Sequence, residues 1–263
     1  GGIIKNTADD ETACSFGNAG LIVPSHLIPL AAPGVITKGL QWMLDAESPF
    51  YIKPRLDLEL ISWVWKFYNA ANQDNVLKAA PILRDLNVSS KALFLEMSKE
   101  EHLYFKLEEK GLLTLCKTQQ YLSKEGRNAE MANQLGVKAK VLNIEQVKAL
   151  LPSFETDVNG GVYYPDDAHI NPSDFMNGLR KWLKRNGAEF ISELHIEELK
   201  GRKGKIEHLI AKGEKIEVGQ VVLSSGSWAP LLLKSLGIKL PLQAGKGYNL
   251  TLPNPKKNVD LPL

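Results

Sequence analysis

Val221-Val222-Leu223-Ser224-Ser225-Gly226-Ser227-Trp228-Ala229-Pro230 is the stretch on which the fold turns. Two valines and a leucine in a short apolar run read as a buried strand. Ser225, Gly226 and Ser227 then form a turn without bulky side chains, and a helix runs from Ala229 to Leu236 with proline in its first turn. Such a junction lets backbone N–H groups and the positive helix end come close to a phosphate. Strand–glycine–helix junctions also occur where nothing binds, so the residues alone favour an ordinary junction. No GxGxxG exists anywhere in the chain: the glycines at 201 and 204 lack the spacing, and Gly245-Lys246-Gly247 leads into an extended run with Tyr248. A complete dinucleotide-binding unit is therefore not expected here.

Working upstream, Gly161-Val162-Tyr163-Tyr164 is a strand and Pro165-Asp166-Asp167 a turn. Asn171-Pro172-Ser173-Asp174 supplies a cap, a proline at the first helical position and an acid in the first turn, so a helix spans 172–185 and stops at Asn186-Gly187. Strands follow at 188–191 and on both sides of a turn at 201–204. Before this unit, the spacing of apolar residues predicts helices at 56–70, 74–87 and 89–110, a strand at 112–117, a helix at 118–135, a strand at 139–142, and a helix capped by Asn143 that stops before Pro152. Residues 24–54 carry Pro24, Pro29, Pro33, Pro49 and Pro54 and read as a shaped loop with one short helix near 38–44. Residues 1–11 read as irregular, and 239–252 as extended.

Composition narrows the function classes. The 263 residues are 44% hydrophobic and 24% charged, enough for one large or two small domains. Lys plus Arg number 32 against 30 Asp plus Glu, a net charge of +2 that argues against a nucleic-acid partner. Lys200, Arg202, Lys203 and Lys205 read as a solvated hairpin tip. Cys14 and Cys116 have no CxxC spacing, which argues against a structural metal site or disulfide framework and suits a reducing cytoplasm. No run approaches the ~18 apolar residues of a membrane span.

A second candidate site opens the chain. Gly17, Ala19 and Gly20 remove side chains where a flat ligand could lie on backbone, and Asn18 offers a donor and an acceptor; a flexible loop is the alternative. Here the residues carry a resemblance. Cys14-Ser15-Phe16-Gly17-Asn18-Ala19-Gly20, Val23-Pro24-Ser25-His26, Pro29-Leu30-Ala31-Ala32-Pro33-Gly34, Lys38-Gly39-Leu40-Gln41-Trp42-Met43-Leu44, Ile52-Lys53-Pro54-Arg55 and Trp63-Val64-Trp65-Lys66-Phe67 resemble the FAD-dependent D-amino-acid dehydrogenases. Asp166-Asp167-Ala168-His169-Ile170-Asn171-Pro172, the stretch 221–230 and Gln243-Ala244-Gly245-Lys246-Gly247-Tyr248 resemble the wider D-amino-acid oxidase and glycine oxidase superfamily.

The resemblance implies an α+β fold in which a partial, three-layer, Rossmann-like FAD-binding domain accompanies a substrate domain of mixed sheet and long helices. Residues 1–50 and 166–236 would form the FAD-binding part, and 51–165 and 237–263 the substrate part. Family members begin with a GxGxxG unit and end with a glycine-rich segment that closes over the flavin. The chain is thus expected to be an internal fragment, inactive alone, of doubtful autonomous FAD binding, and with exposed apolar surface. By the resemblance, Ser15, Asn18, Ala19, Gly20 and Leu21 line the flavin, Ile196 meets the adenine through backbone, and Ser225 and Gly226 lie near the pyrophosphate. A D-amino acid or related amine would pass a hydride to the flavin, and a quinone is the acceptor that a dehydrogenase suggests, in the cytoplasm or at a membrane. Substrate-side candidates are His26, Lys53, Arg55 and Tyr248, with Lys246 beside it. For each, a structural role is the alternative: a loop histidine, solvated charges, a packed tyrosine. At least one of Trp63 and Trp65 is expected in the core, and Asp166 and Asp167 read as turn residues. Glycine, sarcosine or a hydroxyproline-like imino acid is the alternative substrate class, and a non-catalytic binding domain the alternative function.

Overall fold

The computed structural model describes residues 4–6, 13–35, 39, 57–202, 204–248, 250, 256, 258–259 and 261–263. In chain order its elements are β1 (Ile4–Asn6), β2 (Leu21–Ile22), α1 (Leu58–Ala70), α2 (Gln73–Met97), β3 (Leu107–Glu108), β4 (Leu112–Cys116), α3 (Gln119–Gln134), β5 (Lys140–Leu142), α4 (Ile144–Leu150), β6 (Gly160–Tyr164), β7 (Ala168–Ile170), α5 (Pro172–Arg185), β8 (Phe190–Ser192), β9 (Ile196–Arg202), β10 (Lys205–Ala211), β11 (Glu214–Glu217), a 3-10 turn (Gly226–Trp228) and α6 (Ala229–Lys234). This is an α+β fold. The chain divides into two compact units, one of Gly1–Ala13, Ile52–Asn69 and Leu183–Tyr248, the other of Cys14–Tyr51, Ala70–Trp182 and Asn249–Leu263.

In the second unit, polar side chains start the helices. Asn72 accepts from the Asn75 N–H at 2.9 Å to open α2, and Thr118 accepts from the Tyr121 N–H at 3.2 Å to open α3. Asn143 and Gln146 exchange backbone bonds, both at 2.9 Å, as a capping box on α4. The strands β4, β6 and β5 form an antiparallel sheet in that order. Val162 of β6 packs with Ala80 of α2, Ala129 and Ala132 of α3, and Leu27. Leu113 of β4, wholly buried, packs with Val147, Leu151 and Leu261, and its N–H donates to Pro262 O at 3.0 Å. A second antiparallel sheet, β2-β7-β3, buries Ile22, Ala168 and Ile170 against Phe94, Phe105 and Phe175. Those three rings meet edge-on or tilted, with Phe105 and Phe175 centroids 4.9 Å apart.

The first unit holds the antiparallel meander β9-β10-β11 and the parallel pair β1-β8. Ser235, just past α6, ties that helix to β9: its hydroxyl accepts from Leu199 N–H at 3.3 Å and donates to Leu199 O at 3.1 Å. The helix α1 exposes Leu58, Ile61, Trp65 and Tyr68 along one face.

Several expected elements shift. The helices expected at 74–87 and 89–110 are one helix, α2, which runs through Pro81 and ends at Met97. Asn87, Val88 and Ser89 are weak helix formers, but Ala80 and Phe94 pack on either side of them, and tertiary packing overrides propensity. The chain then turns, with His102 at φ +68, to reach β3. The strand expected at 220–224 has no ladder among the described residues, and Val222 is 89% exposed. An apolar run becomes a strand only where a neighbouring backbone pairs with it. Residues 4–6, expected to be irregular, form β1 beside β8, and β2, β3, β7 and β11 lie where no strand is expected. The helix at 229–236 is shortened to Ala229–Lys234. The helix expected at 38–44 falls almost wholly outside the described residues.

Candidate functional site

The segment from Cys14 to Leu27 is shaped by its own polar groups before anything packs on it. Asn18 Nδ2 donates to Ser15 O at 2.7 Å, and Asn18 Oδ1 accepts from Gly20 N–H at 2.7 Å, so the amide closes its loop on both sides. With that amide engaged within the loop, Ser15, Asn18 and Ala19 are exposed. Gly20 is buried at φ +69, where a Cβ would collide with the Ile170 carbonyl; only glycine fits. Its own carbonyl accepts from Ile170 N–H at 2.8 Å. Leu21 and Ile22 then pair with His169 and Ala168.

The far end of this segment meets a carboxylate. Asp167 is 0% exposed, and its oxygens accept from Ser25 N–H at 3.1 Å and Ser25 Oγ at 2.5 Å. Burial pushes its carboxyl up, against the two Ser25 hydrogen bonds and the charges of His26 and Lys91, which pull it down. His26 is exposed on the next turn. Its N–H donates to Val23 O at 3.1 Å, and its carbonyl accepts from Asn87 Nδ2 at 3.0 Å. The imidazole is thus carried on backbone held from two directions.

On the neighbouring strands, His169 Nε2 lies 2.9 Å from Glu108 Oε2. Glu108 also meets Lys106 Nζ at 2.8 Å and Lys110 Nζ at 3.5 Å. The Lys106 hydrogen bond, aided by the charges of Lys106, Lys110 and His169, holds the Glu108 carboxyl below its ordinary value despite burial. The other imidazole nitrogen, Nδ1, is buried without a hydrogen-bond partner among the described residues.

The remaining candidates belong to the other unit. Ile196 opens β9 opposite Ala211. Ser225 Oγ is buried with no hydrogen-bond partner among the described residues. Gly226 beside it sits at φ +53, with open space where a side chain would project. An unsatisfied hydroxyl next to bare backbone fits a group rich in acceptors, such as a pyrophosphate. Tyr248 is 87% exposed, with Lys246 Nζ 5.1 Å from its ring centroid, so it does not pack in a core. Lys53 and Arg55 lie outside the described residues. The expectation that Trp63 or Trp65 is core is corrected: Trp63 is half-buried against Phe67 at 5.1 Å, and Trp65 is 66% exposed beside Tyr68. Leu60 is the one buried residue among the described positions of α1.

The structure therefore brings Ser15, Asn18, Ala19, Gly20, Leu21 and His26 together as one anchored segment, and places Ile196, Ser225, Gly226 and Tyr248 in the other unit. Asp166 does keep a turn role, 3.4 Å from Lys138 Nζ. Asp167 does more than turn the chain, and the turn pattern gives no hint that this second acid is buried. A signal for β7 was present in Ala168-His169-Ile170, apolar-polar-apolar before a helix cap. Among the described residues no group of three His, Cys, Asp or Glu side chains is disposed to hold a metal ion. Cys14 is exposed and Cys116 buried, both as free thiols.

Comparison with known proteins shows the family. The D-amino acid dehydrogenase of Helicobacter pylori is 26% identical over 250 residues, covering 95% of this chain and 60% of that protein. The D-amino acid dehydrogenase of Vibrio cholerae is 30% identical over 243 residues, covering 91% of this chain and 58% of that protein. The chain thus spans less than two thirds of the length of these relatives. Among solved structures, glycine oxidase from Geobacillus kaustophilus shares the fold with a TM-score of 0.60 at 17% identity, over 90% of this chain and 52% of that one. The model of the family described as FAD dependent oxidoreductase (DAO) matches residues 7–262, and the chain belongs to that family.

Proposed function

We propose that the protein is part of an FAD-dependent dehydrogenase that oxidises D-amino acids. The observation that carries this reading is the anchored segment at 15–26: Ser15, Asn18 and Ala19 are exposed in a loop that the Asn18 side chain closes on itself, in the stretch that resembles the flavin-facing loop of the family. The names of the curated relatives favour D-amino acids as the substrate class.

On this reading Ser15, Asn18, Ala19, Gly20 and Leu21 hold the flavin end of FAD, Ile196 meets its adenine through backbone, and Ser225 and Gly226 hold its pyrophosphate. Residues 1–50 and 166–236 belong to the cofactor-binding part, and 51–165 and 237–263 to the substrate part. The bound flavin supplies the two-electron acceptor for the hydride that leaves the substrate α-carbon. The work of the polypeptide is orientation. His26, on its fixed turn, approaches the substrate side, and Tyr248, Lys53 and Arg55 are the candidates to hold a carboxylate. No side-chain base is required if the amine arrives neutral. Electrons would leave through an acceptor such as a quinone. No described helix is long and apolar enough to cross a membrane.

The test uses the complete protein loaded with FAD under anaerobic conditions. Bleaching of the visible flavin band by D-alanine and other D-amino acids, with little response to their L-enantiomers, glycine or sarcosine, is expected. Bleaching by glycine or sarcosine but not by D-amino acids would overturn the substrate assignment.

A further inference from the structure

We infer that Asp167 is a positioning residue: its buried carboxylate, acting through Ser25, sets the path of residues 20–25, the segment that would lie against the cofactor. The inference rests on the FAD reading above and concerns a residue that reading does not use.

Residues 20–25 run along residues 167–170 with an anchor at each end. At one end Gly20 O accepts from Ile170 N–H at 2.8 Å, in a place with no room for a side chain. In the middle stand only two ladder pairs, Leu21 with His169 and Ile22 with Ala168. A two-residue strand is too short to fix its own position. At the other end both Asp167 oxygens are spent on Ser25, 142 positions away in the chain. Asp167 is itself held by backbone: its carbonyl accepts from Gly111 N–H at 3.0 Å and its N–H donates to Tyr164 O at 3.3 Å. One residue further on, Asn87 holds the His26 carbonyl.

The choice of residue is informative. A wholly buried carboxylate is an expensive way to gain stability, and a packed apolar side chain does as well or better. What a carboxylate adds is direction: two acceptors at fixed spacing that specify where one N–H and one O–H must lie. Placed at the free end of a two-residue strand, that direction decides where Leu21 and the loop before it sit, and how the His26 turn leaves the sheet.

The experiment compares Asp167→Asn, Ser25→Ala and the double variant in the complete protein. FAD affinity is read by titrating the apoprotein with FAD and following flavin fluorescence, and the apoprotein unfolding midpoint is recorded alongside. Asp167→Asn preserves shape and one acceptor; Ser25→Ala keeps the backbone bond and carries the test alone if the first variant does not fold. Each single variant is expected to weaken FAD binding about 10-fold, as loss of a hydrogen bond to a charged group does. The double variant is expected to be no weaker than the singles, because the two residues act through one another. Wild-type FAD affinity in both single variants, with only the unfolding midpoint lowered, would reduce Asp167 to a structural residue and overturn the inference. So would multiplying effects in the double variant. A wild-type protein that takes up no FAD is a different result: it overturns the functional reading itself, and this inference with it.

Discussion

Two carboxylates, Asp167 just before β7 and Glu108 on β3, are displaced in opposite directions, which gives each its own pH signature. Burial raises the Asp167 carboxyl, so the folded state binds its proton more tightly than the unfolded chain. Stability from this group is present below the ordinary carboxylate range and is lost as pH rises through the raised value. The advantage of wild type over Asp167→Asn should therefore shrink from about pH 4 upward, by roughly 1.4 kcal/mol for each unit of displacement; a gap that widens with pH contradicts the assignment. Glu108 is lowered, chiefly by Lys106, so its contribution is present above the ordinary range and is lost as pH falls through the lowered value. Urea titration of Glu108→Gln should show a loss of about 1 kcal/mol at pH 7 that closes in acid. Gly20→Ala is expected to cost about 2–3 kcal/mol or more, since a left-handed φ and a carbonyl in the path of the new methyl act together. None of this was legible in the sequence beyond residue type. Glycine among small residues suggested bare backbone for a ligand, yet at Gly20 the close neighbour is Ile170.

Elements with strong local signals were read well. The cap at Asn143, the acid and proline that open α5, and the glycine-bounded hairpin of β9 and β10 are all where their residues place them. Asn143→Ala should lower the unfolding free energy by about 1 kcal/mol, because two reciprocal bonds close α4; an unchanged value would mean the helix is set by Val147 packing alone. Elements whose existence depends on distant partners are at most weakly legible, β7 through its apolar-polar-apolar pattern alone. The short strands β2, β3 and β7 are two or three residues each and exist because they pair with one another, whereas 221–225 has the right composition but no partner strand among the described residues. The long helix α2 runs through Pro81, as the expected helix at 74–87 does, and continues past residue 88 because Ala80 and Phe94 pack on either side of that point.

At the scale of the molecule, family membership and α+β class are expected from the residues that resemble the D-amino-acid dehydrogenases; the match across 7–262 bears out the family, and the observed elements and shared fold bear out the class. The candidate cofactor residues are less legible because they lie in segments far apart in the chain, from Ser15 to Gly226, and no local pattern links them. The central claim is that the anchored segment at 15–26 serves FAD. The most direct measurement is to purify the complete protein, record its visible spectrum, then denature it and quantify released flavin. FAD in amounts stoichiometric with protein, with a yellow absorption band before denaturation, is the predicted result. A colourless protein that releases no flavin and takes up none on titration would contradict the account.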